Sequence, residues 1–435
     1  RTDDTQEYTL ELGAGNERGK FHATFAYENS AGIDRTTIVS GGNADRDGLD
    51  EFALNVSASY RIFDDLNAQV NILRSDAHSE FDNLFGADTN FDSDTQVENN
   101  ALKLTYTPTE RLRVSFDASH FVDESKTPVF FSDIATRRTS FGLQSDYQVH
   151  ENHGITVGIE YYDDKVDTTS SFVETSRDNV AGYFLWQGRY EKLSAVGSVR
   201  YDDNEAYGDN TNGSVALKYD IVDTLSAVVS FGTAFRAPSF NDLFFPGFGN
   251  PSVKPEESET VEVSLKGNYS GARWRLSAYH TDVKDLIGFD FASFTANNIS
   301  DATLQGVEAE IAYTFYAWQL NLNADYLDAK DDSSDEFLDD RAEFSANADA
   351  HRSFGKFDVS MDLQAERGRH DRVGTSINGF VIFGAGMNYR LTEKVRVAAR
   401  LDNLLDEDYT LNLATATDVF RTYGRTATFS VHATY

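Results

Sequence analysis

Residues 356–366, KFDVSMDLQAE, show the pattern that decides the fold. The apolar residues of this segment occupy every second position and are Phe357, Val359, Met361 and Leu363. Such alternation places the apolar side chains on one face of an extended strand and the polar side chains on the other. Comparable alternation occurs at 318–326 (WQLNLNADY), 395–403 (VRVAARLDN) and 425–435 (RTATFSVHATY). The sequence therefore predicts an all-β protein whose strands have one apolar face.

The connections between these segments alternate between two lengths. Very short polar turns, at 17–19, 64–65, 110–111, 151–152, 270–271 and 392–393, alternate with longer loops rich in Asp, Ser, Gly and Thr. Outer-membrane barrels have short periplasmic turns and long extracellular loops, whereas a soluble sandwich or β-solenoid has no reason for this rhythm. We expect one transmembrane antiparallel β-barrel domain over residues 1–435, with about 21 strands in this chain and about 22 in the complete barrel.

Charge and composition exclude several classes of function. The chain has 71 acidic against 38 basic residues, a formal net charge of -33, and no cysteine. Nucleic acid is disfavoured as a partner, because contacts to phosphates need a basic face. Disulfides, thiol nucleophiles and cysteine metal sites are impossible. Outer-membrane lipid is the expected surrounding of the apolar faces.

Residues 232–258, GTAFRAPSFNDLFFPGFGNPSVKPEES, hold four of the six prolines of the chain. Proline donates no backbone hydrogen bond and is excluded from the interior of a sheet, so this stretch is predicted to be a long, shaped loop. It contains the boxes FRAP at 235–238 and NPSVKPEES at 250–258. Further segments follow downstream: WRLSAYHTDVKDLIGF, NISDATLQGVEAEIAYTF and LDNLLDEDYT.

Together these segments resemble TonB-dependent outer-membrane receptors, and the resemblance covers essentially the whole chain. Within that family the closest likeness is to cobalamin (vitamin B12) receptors. The resemblance implies an integral outer-membrane protein that transports a scarce nutrient, cobalamin or a related corrinoid, using energy from the TonB complex. The loop residues that it marks as ligand candidates are Phe235, Arg236, Pro238, Phe245, Phe248, Asn250 and Pro251.

Other receptors of the family share these boxes, so siderophore and haem receptors remain alternatives. Haem receptors are expected to carry an axial histidine between the two boxes, and none lies between Phe235 and Pro251. Siderophore receptors usually supply Arg and aromatic groups for an anionic ligand. A barrel acting as a passive pore or as a scaffold in a larger assembly is the non-transport alternative.

The early loops are rich in aspartate. Hard cations such as Ca²⁺ take six to eight oxygen ligands, which Asp-rich loops supply readily. The resemblance to cobalamin receptors implies a calcium site at Asp34, Asp45, Asp47 and Asp76, with Asp82 as a further candidate. The alternative interpretation is solvated loop charge, which is the expectation for Asp163, Asp164 and Asp167 and for the acidic cluster at 331–340.

The last strand ends in an aromatic residue, Tyr435, and presents Phe429 and Val431 on the same face. This arrangement resembles the signal that the outer-membrane insertion machinery recognises. The sequence shows no catalytic arrangement, because it lacks a nucleophile elbow and a P-loop lysine, and we expect no enzymatic activity. His280 and Asp282 are the one pair that an enzyme hypothesis would invoke.

The N-terminal plug domain of the family, which carries the segment that contacts TonB, is not recognisable in this sequence. Residues 1–16 resemble the second strand of the barrel, so the first strand is expected to be missing as well. The plug and this strand would belong to an unseen part of the protein or to a separate plug-bearing chain. An unpaired strand edge in lipid would be costly, which disfavours a barrel that functions without them.

Overall fold

The computed structural model describes residues 4–36, 45–82, 91–290, 292–371, 374–413 and 419–435. Its main sheet contains 21 strands, and every pairing is antiparallel between neighbours in the chain. The strands are β1 (Gln6–Gly15), β2 (Gly19–Ile33), β3 (Asp47–Phe63), β4 (Leu66–Glu80), β5 (Asp92–Thr109), β6 (Leu112–Thr127), β7 (Ser132–His150), β8 (His153–Thr168), β9 (Ser176–Tyr190), β10 (Leu193–Asn204), β11 (Gly208–Val222), β12 (Leu225–Arg236), β13 (Glu256–Tyr269), β14 (Ala272–Asp290), β15 (Thr295–Phe315), β16 (Trp318–Asp331), β17 (Phe344–Phe354), β18 (Phe357–Arg367), β21 (Phe380–Arg390), β22 (Val395–Asp402) and β23 (Thr426–Ala433).

The remaining elements lie in the long loops. They are the hairpin of β19 (Arg369–His370) and β20 (Ser376–Ile377), the 3₁₀ turn Pro128–Phe130 and the short helix α1 (Phe240–Phe244). Within the described residues, no helix is long and apolar enough to span a membrane. The all-β prediction and the predicted strand number are confirmed.

Strand register explains the two faces of the sheet. Leu217, Val229 and Val263 lie opposite one another on β11, β12 and β13, and each exposes nearly half of its surface (47%, 49% and 48%). An apolar band that is exposed in this way is the surface that meets lipid in a membrane barrel. The opposite face lines the lumen and carries paired charges: Arg275 contacts Glu262 at 2.7 Å, and Arg400 contacts Asp362 at 2.9 Å.

The short turns mark one rim of the barrel. Ser270 and Gly271 both have positive φ (50° and 84°), as a tight two-residue hairpin turn requires. Large exposed aromatic residues lie beside these turns, as expected for an interfacial girdle: Tyr60, Tyr106, Tyr190, Tyr269 and Tyr316. Because a strand needs only about 10 residues to cross the membrane, strands of 15 to 21 residues project beyond it at the other rim.

One seam of the wall is left without strand pairing. Within the described residues, β1 and β23 are not hydrogen-bonded to each other, and all residues of β1 are exposed. Loops from the two sides nevertheless meet at the outer rim. Thr36 forms a bridge with Phe420, and the Arg421 amide donates to the carbonyl of Arg35 at 2.7 Å. The seam is therefore held at its outer end by loop contacts.

Candidate ligand platform and acidic cluster on the outer loops

The proline-rich loop at 237–255 packs against the barrel as a folded unit. Helix α1 begins after Ser239, whose hydroxyl accepts from the Asp242 amide while the Asp242 carboxylate accepts from the Ser239 amide. This reciprocal capping box satisfies two backbone donors at the start of the helix. Leu243 and Val253 are buried against Ala296 of β15, which gives the loop a small apolar core of its own.

The loop is fixed to the β14–β15 hairpin by hydrogen bonds. The Ala296 amide donates to the Phe248 carbonyl at 2.8 Å, and Asn250 Nδ2 donates to the Ala296 carbonyl at 3.2 Å. Asn298 binds both backbone groups of Lys254: its Oδ1 accepts from the amide at 3.0 Å and its Nδ2 donates to the carbonyl at 3.0 Å. The predicted loop is thus preformed, because hydrogen bonds to its backbone amide and carbonyl groups hold it on the β14–β15 hairpin.

The predicted ligand residues divide into anchoring and presenting groups. Arg236 is paired with Glu256 at 2.6 Å, Pro238 is buried, and Asn250 holds the loop backbone. Phe235 contacts the ring of Tyr207, with centroids 6.2 Å apart, and Pro251 is exposed. Phe245 and Phe248 are stacked, with centroids 4.0 Å apart.

These two stacked rings are the centre of a row of five phenylalanines drawn from the β8–β9 loop, the proline-rich loop and the β14–β15 hairpin. Phe172 meets Phe245 edge-on at 5.5 Å, Phe248 meets Phe289 at 6.1 Å, and Phe289 meets Phe294 at 5.1 Å. Phe294 exposes 65% of its surface. Such rings offer a large, rigid apolar surface to a ligand at low entropic cost. The sequence identified only the two central members, because the others lie in different loops.

The aspartates of the early loops form a coupled cluster. Asp47, at the outer end of β3 beyond the membrane, is 7% exposed, and this burial raises its pKa to about 6, with a further contribution from Asp82 and Asp45. Burial likewise raises the pKa of Asp82, with Asp34 and Asp45 adding to the effect. Four carboxylates, those of Asp34, Asp45, Asp47 and Asp82, therefore influence one another.

Among the described residues, two oxygens of this cluster are buried without a hydrogen-bond partner, Asp34 Oδ1 and Asp82 Oδ2, although the Asp82 carboxylate as a whole interacts with Thr36. The other Asp34 oxygen, Oδ2, accepts from Arg421 at 2.9 Å. Buried carboxylate oxygens without donors fit a cation in chemical type. Within the described residues, however, no three acidic or histidine side chains are arranged closely enough to hold a metal ion.

Asp76 is separated from this cluster by the pleat of the sheet. It pairs across the sheet with Phe52, which is exposed on the outward apolar face. Asp47 is five residues from Phe52 on the same strand, and because side chains alternate along a strand, Asp47 points to the other face. Arg74 binds both Asp76 oxygens, at 2.7 and 2.9 Å. The cluster of mutually interacting carboxylates thus contains Asp34, Asp45, Asp47 and Asp82. Asp76 lies outside it.

In the other acidic segments, Asp167 and Asp335 are exposed as expected for solvated charge, with side chains 70% and 87% exposed, whereas Asp164 is not. Asp164 is 2% exposed and lies within β8, where Arg138 binds both of its oxygens at 2.6 and 2.8 Å. Asp331 accepts from the amides of Ser333 and Ser334, so it shapes its own turn. The hypothesis that Asp164 is solvated loop charge is wrong, because the adjacent loop covers this part of the wall.

At the terminal strand, Phe429 and Val431 expose 81% and 72% of their surface beside the seam. Tyr435 is fully exposed beyond the end of β23. His280 and Asp282 form a hydrogen bond of 3.1 Å on the exposed surface of β14. Asp282 is the acidic partner of the His280 imidazole.

The family described as TonB dependent receptor-like, beta-barrel matches residues 1–404. The chain belongs to this family. TonB-dependent receptors are integral proteins of the outer membrane and are receptors rather than enzymes, so this chain lies in the outer membrane.

Among the solved structures, the copper transporter OprC has a TM-score of 0.84 at 17% identity, covering 100% of this chain and 78% of that chain. The ferric enterobactin receptor of Pseudomonas aeruginosa has a TM-score of 0.83 at 13% identity, covering 99% and 78%.

Curated relatives are similar in sequence as well as in fold. The vitamin B12 transporter BtuB of Photobacterium profundum is 29% identical over 370 residues, which cover 81% of this chain and 60% of that protein. BtuB of Vibrio cholerae is 24% identical over 432 residues, covering 93% and 69%. The chain therefore spans about 60–69% of the length of these relatives. They give no support to a separate plug-bearing chain.

Proposed function

We propose that this TonB-dependent receptor takes up cobalamin or a related corrinoid at its outer loops and passes it inward with energy supplied through TonB. The observation that carries the proposal is the identity of 29% with a vitamin B12 transporter over most of the chain. The structures of siderophore receptors are as similar in shape but only 11–14% identical, so they support the barrel fold and not their ligands.

The geometry of the outer loops supports a bulky, largely apolar ligand. The platform is preformed by its own apolar core, and preorganised groups lose little freedom when a ligand binds. Residues 237–255 of the loop contain no arginine, and Arg236, the last residue of β12, has its charge offset by Glu256. The rings of Phe245 and Phe248 supply the contact surface.

Calcium binding is part of the same proposal. Asp34, Asp45, Asp47 and Asp82 would hold the ion, which would supply the positive charge that four mutually repelling carboxylates require. The buried, unpaired oxygens of Asp34 and Asp82 support this set. Ion binding beside the outer end of β3 would, through linkage, tighten ligand binding.

We further propose that one additional strand fills the seam between β1 and β23 and that a plug occupies the lumen. The support is that, in the part of the chain that the structure describes, the outer edges of β1 and β23 have no strand partner, and lipid cannot satisfy the backbone groups along such edges. A strand with alternating apolar residues would form hydrogen bonds with both edges at once and bring the barrel to the expected number of strands, about 22.

Uptake of labelled cobalamin by cells tests the ligand. Deletion of the gene should abolish growth on limiting cobalamin, and the full-length gene should restore it; unchanged uptake in the deletion strain would refute the proposal.

Replacing Phe245 and Phe248 together by Ala should weaken cobalamin binding by about tenfold or more, because the loss of each ring removes a large apolar contact. Phe131→Ala, which alters a ring 89% exposed in another outer loop, is the matched control. Conductance of the purified barrel in planar bilayers addresses the pore alternative.

A further inference from the structure

A buried group of charges lies beneath the start of the proline-rich loop. Asp164 of β8 and Arg177 of β9 are 2% and 8% exposed, and Arg177 Nε donates to Asp164 Oδ2 at 3.3 Å. Arg138 of β7 holds the same carboxylate through two bonds. Charges are buried in this way only where they are paired and hydrogen-bonded, so the position of Asp164 fixes that of Arg177.

Arg177 also reaches the loop itself. Its Nη1 donates to the carbonyl of Pro238 at 2.8 Å, 61 residues away in the chain. Its guanidinium lies 4.6 Å from the ring centroid of Phe240 and 5.5 Å from that of Tyr207. Arginine suits this position because one planar group can donate along its edge and stack on rings with its face.

The Pro238 carbonyl that Arg177 binds lies where the loop enters helix α1. Pro238 is buried, and it immediately precedes Ser239, the residue that caps helix α1. A charged donor makes a stronger hydrogen bond than a neutral one, and Pro238 has a restricted φ angle. Fixing this carbonyl therefore fixes the start of α1, and with it the loop that presents Phe245 and Phe248.

We propose that Arg177 is a positioning residue that anchors the loop at 237–255 to the barrel wall and keeps its aromatic face preformed. Arg138 binds Asp164, Asp164 binds Arg177, and Arg177 holds the loop through Pro238 and Phe240. The consequence for ligand binding rests on the proposed function, because the platform must be preformed only if a ligand binds there. The anchor itself can be tested without any ligand.

Residues 1–435 contain no cysteine, so one engineered cysteine gives a single labelling site once any cysteine elsewhere in the full-length receptor is replaced. Asn241→Cys, at an exposed position of helix α1, is labelled with a nitroxide in the full-length, assembled receptor, and its electron paramagnetic resonance spectrum is recorded. With Arg177 present we expect an immobilised spectrum. Arg177→Met, which retains the length of the stem and removes the donors, should convert it to a mobile spectrum. Arg137→Met, which breaks the exposed pair of Arg137 with Asp167, is the control and should leave the spectrum immobilised.

A second set of variants separates the anchor from a general loss of folding. Arg177→Met alone leaves Asp164 with one partner fewer, so Arg177→Met/Asp164→Asn removes both buried charges and favours assembly. This double variant should be as mobile as the single one. Asp164→Asn alone keeps the Arg177 donor to Pro238, and its amide oxygen can still accept from Arg177 Nε, so the loop should remain largely immobilised. An immobilised loop in assembled Arg177→Met or in the assembled double variant would overturn the proposal.

Cobalamin binding then tests the functional consequence. Loss of the anchor should weaken apparent affinity about tenfold, since a hydrogen bond from a charged group contributes roughly the free energy of a tenfold change in an equilibrium constant. A mobile loop with unchanged affinity would refute the proposed role in ligand binding and leave the anchor standing. A receptor that does not bind cobalamin at all, but shows the expected spectra, would refute the proposed function alone.

Discussion

At the scale of single residues, burial and strand parity decide which aspartates can act together. Asp47 and Asp76 lie on neighbouring strands, yet the pleat directs them to opposite faces of the wall. Asp82 follows the end of β4, where the chain leaves the sheet and parity no longer applies. Its coupling to Asp34 and Asp45 makes it the better member of a cation site than Asp76.

Replacing Asp45 and Asp47 by Ala should abolish any effect of calcium on cobalamin affinity, because it removes two of the four coupled carboxylates. Barrel assembly should be unchanged, since loop ends contribute little to the sheet. Affinity is measured in chelator and in millimolar calcium. Asp76→Ala is the matched control and should keep full calcium dependence. Loss of dependence in that control would restore Asp76 to the site.

Arg421→Met should increase calcium affinity about two- to fivefold. Arg421 neutralises Asp34 in the apo protein, and a partly exposed ion pair contributes about 0.2–1 kcal/mol that the metal must replace. Arg74→Met, which releases Asp76 on the outward face, should leave the affinity unaltered. Titration calorimetry with calcium measures both. Equal affinities in Arg421→Met and the unmodified receptor would show that Arg421 does not compete with the ion.

At the scale of elements, the loop between β12 and β13 is held from two sides. Arg177 fixes its beginning and Asn298 its end, while Leu243 and Val253 fill the space between the loop and β15. This construction explains why four prolines occur in one stretch: proline restricts the backbone of the unfolded chain, and it is tolerated here because the loop does not take part in the sheet.

Asn298→Ala should loosen the end of this loop. Its side chain donates to the carbonyls of Lys254 and Asp285 and accepts from the Lys254 amide, and these backbone groups lose their partners in the variant. The bonds to Lys254 are exposed, and each contributes about 0.5–1.5 kcal/mol, so exchange of the Lys254 amide proton should become faster by about two- to tenfold. Asn268→Ala, at an exposed position beside a short turn, is the control. Unchanged protection of the Lys254 amide would contradict this role of Asn298.

The terminal strand gives a prediction of another kind. Tyr435→Ala should reduce the amount of receptor assembled in the outer membrane without changing the unfolding of the receptor that is assembled. The side chain is fully exposed, so its removal breaks no contact of the folded barrel. Heat-modifiable mobility on gels quantifies assembly, and Phe131→Ala is the control for an exposed aromatic residue. Normal assembly of the Tyr435 variant would show that the residue is not a recognition signal.

At the scale of the whole molecule, the membrane imposes opposite requirements on the two faces of one sheet. Val229 and Ser230 are adjacent near the middle of β12, with Val229 outward and Ser230 toward the lumen. Val229→Arg should destabilise the folded barrel by about 2–4 kcal/mol, because it places a charge in the hydrocarbon core. Ser230→Arg should change stability by much less. Urea unfolding in lipid vesicles measures both, and equal destabilisation would contradict the assignment of the faces.

Much of the architecture could be predicted from local sequence. Alternation in segments such as 356–366 identified the strands, and the rhythm of turn lengths identified a barrel with distinct rims. The FRAP and NP boxes located the shaped loop and two of its five aromatic contacts. The sequence did not indicate Arg177, Asn298, Phe172 or Phe289, because each meets the loop from a strand or loop distant in the chain.

The sequence by itself determined the properties that depend on near neighbours: strand periodicity, the short turns, the face that meets lipid and the position of the long loop. The tertiary structure alone decided which charges meet. It placed Asp164 beneath a loop that folds back over the wall, joined Asp34 to Arg421 across the seam, and set Asp76 apart from Asp47. The physical reason is that periodicity is a property of consecutive residues, whereas burial and pairing depend on segments that come together only when the sheet curves and its loops fold over the rim.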